Sequence, residues 1–375
     1  MLNILKKIRF ILSGRIIKLT PAKKTIGNVL LSYTTLPFLN PKSIDGHTNR
    51  WECAEIARIF IKHNYSVDII DHTNKSFIPR KKYKYCIDVQ DNFERLSPFL
   101  GKNCLKIFHI TTAHWLFNNT AEYRRLLDIK ERRGVALEPR RTLPPSRNIE
   151  LAGAVAILGN NFTAGTYAYA KKTMYRIPIS TTHLYPSPEN KNFESARNSF
   201  VWIGGSGMAH KGLDLTLEAF SKMPEYNLTI FGKKDEDFGE AYKKELCQTP
   251  NIHYAGHTDL GSRKFKDIIG NSIAIIFPSC SEGCSGGVVT AMHAGLIPII
   301  SYESGVNVND FGIILKENTI NEIKKQVQSL ASLPSEELKN KAIKAWKYAR
   351  NNHTREKFSE KYQKIINKIL QNYGF

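Results

Sequence analysis

Short runs of consecutive apolar residues recur along the chain, separated by stretches in which apolar positions fall three or four apart. The first series is Asn28–Tyr33, Ser66–Asp71, Tyr83–Val89, Leu105–Thr111 and Ala154–Leu158. Runs this short and this continuous predict strands buried on both faces. Trp51, Ala54, Ile59 and Phe60 predict a covering helix between the first two. The second series is Phe200–Ile203, Leu228–Phe231, Ile252–Ala255, Ala274–Phe277, Ile297–Ile300 and Ile313–Leu315, with a helix starting at about Lys211. Such alternation builds parallel sheets with helices on both faces, so the chain is expected to be α/β, with two Rossmann-like doubly wound domains facing across a cleft.

The 375 residues are more than one core usually organises, which agrees with two domains. Pro, Asn, Ser and charge gather between the two series, so a linker is expected at 187–198, with the domains at 26–186 and 199–345. Residues 346–375 read as helices that pack back toward the N-terminal domain, with Trp346, Tyr348, Phe358 and Tyr362 as anchors. An apolar fraction of 42% excludes a disordered chain, and no apolar run is long enough to cross a membrane as a helix. Six cysteines without a CxxC pair fit reduced cytosolic thiols better than a disulfide framework or a zinc site.

Charge changes the picture. The net charge is +20, and residues 1–200 hold 32 Lys and Arg against 15 Asp and Glu, whereas residues 201–375 hold 22 against 19. The first half should therefore be drawn to an anionic partner. Within the segment 1–25, Met1, Ile4, Leu5, Ile8, Ile11 and Leu12 share a helical arc, with Lys6, Lys7, Arg9 and Lys18 mostly outside it. This pattern fits either an anchor on an anionic membrane surface or a terminal helix packed on its own domain. Arg132, Arg133, Arg140, Arg141 and Arg147 form a further basic cluster, expected in a loop.

In doubly wound domains the ligand crevice lies at the carboxyl ends of the strands, so chemistry is sought in the loops that follow them. The segment Ser279-Cys280-Ser281-Glu282-Gly283-Cys284-Ser285-Gly286-Gly287 follows one strand and precedes a helix. Its glycines permit close backbone approach, and the helix start offers unpaired amides, as an anion cradle needs. Glu282 suits hydroxyls better than phosphate. Gly204-Gly205-Ser206-Gly207-Met208-Ala209-His210-Lys211-Gly212 is a second strand-to-helix loop, in which Lys211 can face a diphosphate. In the first half, Asp45-Gly46-His47-Thr48-Asn49 is either a ligand loop or a capping turn with Thr48 or Asn49 as the cap. Thr111-Thr112-Ala113-His114-Trp115 places a histidine at the cleft.

These segments, in this order, resemble the group 1 glycosyltransferases, the large retaining family of the two-Rossmann-domain GT-B type. "FVWIGGSGMAHKGLDLTLEAF" resembles the segment that opens the family's donor domain, and "IIFPSCSEGCSGGVVTAMHAGLIPII" its donor signature. "TAH" at Thr112–His114 resembles the active-site histidine segment, and Gly46 falls at the first Gly-rich loop. The resemblance implies an acceptor-binding first domain, with Gly46, His47 and Asn49 on the acceptor side. It implies a nucleotide-diphosphate sugar as co-substrate of the second domain, with no other cofactor and no metal. The donor would meet Gly204, Gly205, Ser206, Lys211, Gly283, Cys284, Ser285, Gly286, Gly287 and Thr290. Lys211 would neutralise the diphosphate, Glu282 would contact the donor sugar, and His114 the transferred sugar.

Two departures stand out. The second glutamate of the family's Glu-x7-Glu is Thr290, and the arginine that commonly precedes the lysine is absent. The expected activity is transfer of a sugar to a hydroxyl of a glycan or lipid-linked acceptor, with retention, in cell-surface polysaccharide or lipopolysaccharide assembly. The expected place is the inner face of the cytoplasmic membrane. The alternatives are a catalytically weak or inactive nucleotide-sugar-binding protein and an inverting enzyme with His47 or Asp45 as base. A nucleic-acid partner is not expected, because no recognisable nucleic-acid module is present.

Overall fold

The computed structural model describes residues 16–373, and the expected N-terminal anchor lies for the most part outside them. Seven strands form the first sheet: β1 (Ile17–Leu19), β2 (Gly27–Tyr33), β3 (Tyr65–Asp71), β4 (Tyr85–Asp88), β5 (Leu105–Ile110), β6 (Ala154–Ile157) and β7 (Met174–Arg176). Their order is β1-β3-β2-β4-β5-β6-β7, parallel except for β1, which runs antiparallel along β3. Lys18, counted among the basic residues of the N-terminal segment, therefore belongs to an edge strand. The second sheet has the order β10-β9-β8-β11-β12-β13, all parallel, from β8 (Ser199–Ile203), β9 (Asn227–Phe231), β10 (Ile252–Gly256), β11 (Ala274–Phe277), β12 (Ile297–Ile300) and β13 (Ile313–Ile314).

The continuous apolar runs are explained by burial on both faces. Val29, Leu31 and Tyr33 of β2 pack with Ile56, Ile59 and Phe60 of the helix Thr48–Lys62, while Leu30 faces Phe93, Leu96 and Phe108 on the other side. Every residue of β11 and β12 is buried. The segment 187–198 is not an exposed tether. Pro188, Phe193 and Ala196 are buried, and the Lys191 ammonium donates to the carbonyls of Ile269 and Ser272 at 3.0 and 2.7 Å.

The domains meet in two places besides the cleft. On one side the helix Trp115–Arg133 reaches the second domain through its arginines. On the other, the chain leaves the helix Ser335–Asn352, which packs on the second domain, and the helix Arg355–Tyr373 returns to the first. There Phe358 meets Trp51 edge-on at 5.9 Å, and Tyr362 lies 5.6 Å from His109.

The basic cluster is not the surface patch its composition suggested. Arg132 and Arg133 end a helix. Arg132 binds Asp214 at 2.7 Å, Arg133 binds Glu245 at 2.7 and 3.0 Å, and Arg140 binds Asp237 at 2.8 Å, all in the second domain. Arg147 lies 3.9 Å from Glu94. Much of the cluster's charge is thus matched by carboxylates of the other half of the chain.

Candidate active site

In the second sheet the strand order reverses between β8 and β11, and the loops that follow these two neighbours are the two Gly-rich segments. They are stitched together at His210. Its carbonyl accepts from the Cys280 amide at 2.9 Å and from the Ser279 hydroxyl at 3.2 Å, and its Nε2 bonds the Ser281 carbonyl. Burial holds the His210 imidazole neutral, with a pKa lowered to about 3. The next residue is fixed in turn, because the indole of buried Trp202 donates to the Lys211 carbonyl at 3.2 Å.

This bracing brings Lys211 and Glu282 into an ion pair, with side chains 11% and 12% exposed. Burial lowers the Lys211 pKa, and Glu282 works against that shift. For Glu282 burial alone would raise the carboxyl, but the charges of Lys211 and Arg141 outweigh it and hold the group below its ordinary value. Each partner thus favours the charged form of the other.

Among the described residues, the amides of Gly283, Cys284, Gly286 and Gly287 donate to no protein acceptor, while Ser285 caps the helix Gly286–His293 through its hydroxyl at 3.4 Å from the Val288 amide. Uncommitted amides at a helix start are suited to anions. The first loop is less open than its glycines suggest. The Gly204 amide extends the sheet ladder to Phe231 at 3.0 Å. Asp235 accepts from the Gly207 and Met208 amides at 2.9 Å each and from the Ser206 hydroxyl at 3.0 Å. Of the glycines expected to line a donor there, Gly205 alone keeps an uncommitted amide, next to that of Ser206. Thr290 is buried on its helix, and Cys284 has a buried thiol whose pKa burial pushes up.

The first domain closes the cleft from above. Gly283 lies so close to Thr111 and Thr112 that a Cβ there would sit 2.1 Å from the Thr111 carbonyl oxygen. Three residues on, His114 caps the helix Trp115–Arg133. Its Nδ1 accepts from the Leu116 amide at 3.3 Å, its Nε2 meets the Tyr169 hydroxyl at 3.1 Å, and that hydroxyl donates to Glu150 at 2.7 Å. Burial lowers the His114 pKa. A recess beside it is lined by Gln90, Thr112, Trp115, Ser146 and Tyr167.

His47 repeats the device. It, and not Thr48 or Asn49, is the N-cap of the helix Thr48–Lys62, with Nδ1 accepting from the Asn49 amide at 3.3 Å. Its ring is exposed to solvent, yet the surrounding protein and the charges of Arg50, Lys211 and Arg141 lower its pKa. Gly46 gives room to the Arg50 guanidinium, which would lie 2.4 Å from a Cβ there. Asp45 points elsewhere, into an ion pair with Arg355 of the final helix. The Asn49 side-chain oxygen is buried without a partner.

The structure thus gathers Lys211, Glu282 and the Gly283–Gly287 turn, sets His47 and His114 on the facing domain, and leaves Asp45 outside. Sequence reasoning missed Asp235, Glu150 and Tyr169, which carry no motif of their own. It named Arg141 only as one basic residue among several.

Residues 189–350 match the model of the family described as glycosyl transferases group 1. No curated protein matches the chain. Sucrose-phosphate synthase from Thermosynechococcus elongatus superposes with a TM-score of 0.65 at 12% identity, covering 93% of this chain and 100% of that one. Anabaena Alr3699/HepE, in complex with UDP and glucose, gives 0.56 at 11% identity over 92% and 100% of the two chains. A mutant of S. aureus TarM, in complex with fondaparinux, alpha-GlcNAc-glycerol and UDP, gives 0.54 at 14% identity over 75% of this chain, which spans only 55% of the staphylococcal protein. At these identities the structures establish the two-domain GT-B fold of the chain, and the family model places its second domain among the glycosyl transferases of group 1.

Proposed function

We propose that the enzyme takes a sugar from a nucleotide-diphosphate donor held by the second domain and delivers it to a hydroxyl of an acceptor held by the first. One observation carries this reading. At the point where the strand order reverses, a buried lysine and a largely covered glutamate are paired beside four amides that, among the described residues, have no protein acceptor. Lys211 and the amides of Gly283–Gly287 receive the leaving diphosphate, and Glu282 accepts hydrogen bonds from the hydroxyls of the donor sugar. Fixed donors aimed at developing negative charge lower the barrier without reorganisation, so the step needs no metal. UDP in the superposed Anabaena and staphylococcal structures supports a nucleoside diphosphate as the common element.

Retention follows from what the facing residues can offer. In neutral imidazole one nitrogen is an acceptor and the other a donor. His47 and His114 both use Nδ1 to accept from a helix amide, so the proton sits on Nε2 and neither ring can take another from the acceptor; the His114 Nε2–H is given to Tyr169, and that of His47 can orient an oxygen. Asp45 is paired with Arg355. The base is then a diphosphate oxygen, on the face from which the acceptor enters.

The acceptor proposed is a glycan or lipid-linked hydroxyl at an anionic membrane surface on the cytoplasmic side, in surface polysaccharide assembly. The excess of basic residues in 1–200 supports it, as do Leu116, Tyr123 and Leu127, exposed along one helix. Among the described residues no helix is long and apolar enough to cross a membrane.

Thermal-shift titration with UDP, GDP and ADP identifies the base, and turnover with the matching sugars then tests the site. Lys211→Ala should lower kcat by about 10²–10³-fold, the usual effect of removing one such donor. Wild-type turnover unaffected by this substitution overturns the assignment, and nucleotide binding without turnover of any sugar marks an inactive binding protein. A product of inverted anomeric configuration removes the retaining mechanism.

A further inference from the structure

Resting on the reading above, we propose that Arg141, carried by the first domain, is the second cation of the diphosphate site, binding the donor's phosphates across the cleft.

Arg141 differs from its basic neighbours. Arg132, Arg133, Arg140 and Arg147 each have a carboxylate partner, whereas among the described residues the Arg141 guanidinium has none within 4 Å. Its backbone is nevertheless tightly held. The Arg141 amide donates to both oxygens of Glu122 at 2.8 and 2.9 Å, the Arg140 amide donates to the same carboxylate at 2.7 Å, and the Arg141 carbonyl accepts from Asn118 at 2.8 Å. Glu122 is 2% exposed. An unpaired guanidinium on a pinned backbone is a placed charge.

Its position is written into the opposite loop. Gly207 has φ +85°, and a Cβ there would meet Arg141 Cγ at 2.4 Å and Cδ at 2.8 Å. The arginine stem therefore lies across Gly207, in the gap that glycine alone leaves open. From there its charge reaches Lys211, Glu282, His210 and His47, groups from three separate loops.

The charge balance requires such a group. Lys211 is matched by Glu282, and Asp235 adds a negative charge on the first loop. Lys211, Glu282 and Asp235 alone would present a net negative site to a polyanionic leaving group. A guanidinium restores the balance and matches phosphate oxygens two at a time. The loop after β8 supplies no arginine, with Ser206, Met208, Ala209 and His210 in the stretch before Lys211. The donor site is therefore complete only when the two domains are together.

The test uses the full chain and isothermal titration with UDP, GDP and ADP, alongside the corresponding monophosphates. Arg141→Met keeps the stem over Gly207 and removes the charge, Arg141→Ala removes both, and Arg141→Lys restores a point charge. Both charge-removing variants should weaken diphosphate binding by about 10–100-fold, with a smaller change for monophosphates and partial recovery in Arg141→Lys. Their melting temperatures should match the wild type, since the guanidinium has no protein partner. Wild-type diphosphate affinity in Arg141→Met overturns the proposal and leaves the site reading intact. If the wild-type chain binds no nucleoside diphosphate, the site reading fails and this proposal fails with it.

Discussion

The two crossings between the domains are built from opposite materials. At the helix Trp115–Arg133, buried Arg125 binds Asp214 at 3.1 Å and the Pro278 carbonyl at 3.1 Å, and Arg132 takes the other Asp214 oxygen. At the helix Arg355–Tyr373 the buried contact is aromatic, with Phe358 and Tyr362 stacked at 5.4 Å over His109 and Trp51, and polar pairs such as Arg355 with Asp45 lie only along its margin. The first is directional, and through Pro278 and Asp214 it grips the strand end and the helix that frame Lys211. The second fills space beneath the first sheet and touches no donor loop. Registration of the cleft therefore belongs to the ionic crossing, while the aromatic one mainly holds the halves together.

The largest effect expected of a substitution is at Asp214. Asp214→Ala leaves Arg125 buried without its carboxylate, which should cost about 3–5 kcal/mol, read as a lower urea midpoint, and should impair turnover as well. Full activity in that variant would remove the distinction between the crossings. Acid acts on the other one. His109 is fully buried with neither ring nitrogen partnered, and burial lowers its pKa to about 3. A base depressed in the folded state contributes its full stability above the unfolded pKa of about 6.5 and loses it as pH falls toward 3. By pH 4.5 the loss attributable to His109 should be about 2–3 kcal/mol, so His109→Leu should show a shallower fall in stability between pH 6.5 and 4.5. The smallest effect is at Tyr362, whose buried hydroxyl has no partner. Tyr362→Phe should stabilise by about 1 kcal/mol, with turnover unchanged. A destabilised Tyr362→Phe variant would show that the aromatic crossing contains a hydrogen bond.

Much of the fold was legible because it is periodic. The runs at Asn28–Tyr33 and Ala274–Phe277 announce buried parallel strands, and Lys211 and Glu282 stand at fixed offsets from glycines. β1 escaped notice because three residues on a sheet edge leave little pattern. The arginine cluster was misread for a different reason. Arg132 and Arg133 are satisfied by Asp214 and Glu245, which are 82 and 112 residues away. Composition shows a charge but not what neutralises it. The histidine caps were hidden likewise, since Thr48 and Asn49 are stronger capping residues by type, and only the backbone shows that His47 holds the position.

The carbonyl of Gly283 accepts from Thr163, and added Cβ atoms at Gly159 and Gly305 would lie 2.0 and 1.9 Å from it. One peptide group is thus shared by both halves of the enzyme, with no space for a methyl on either flank. Chimaeras that graft a foreign donor half onto this acceptor half will need the segments around Thr111, Gly159 and Thr163 to travel with the graft, because the natural unit of exchange does not end at residue 198.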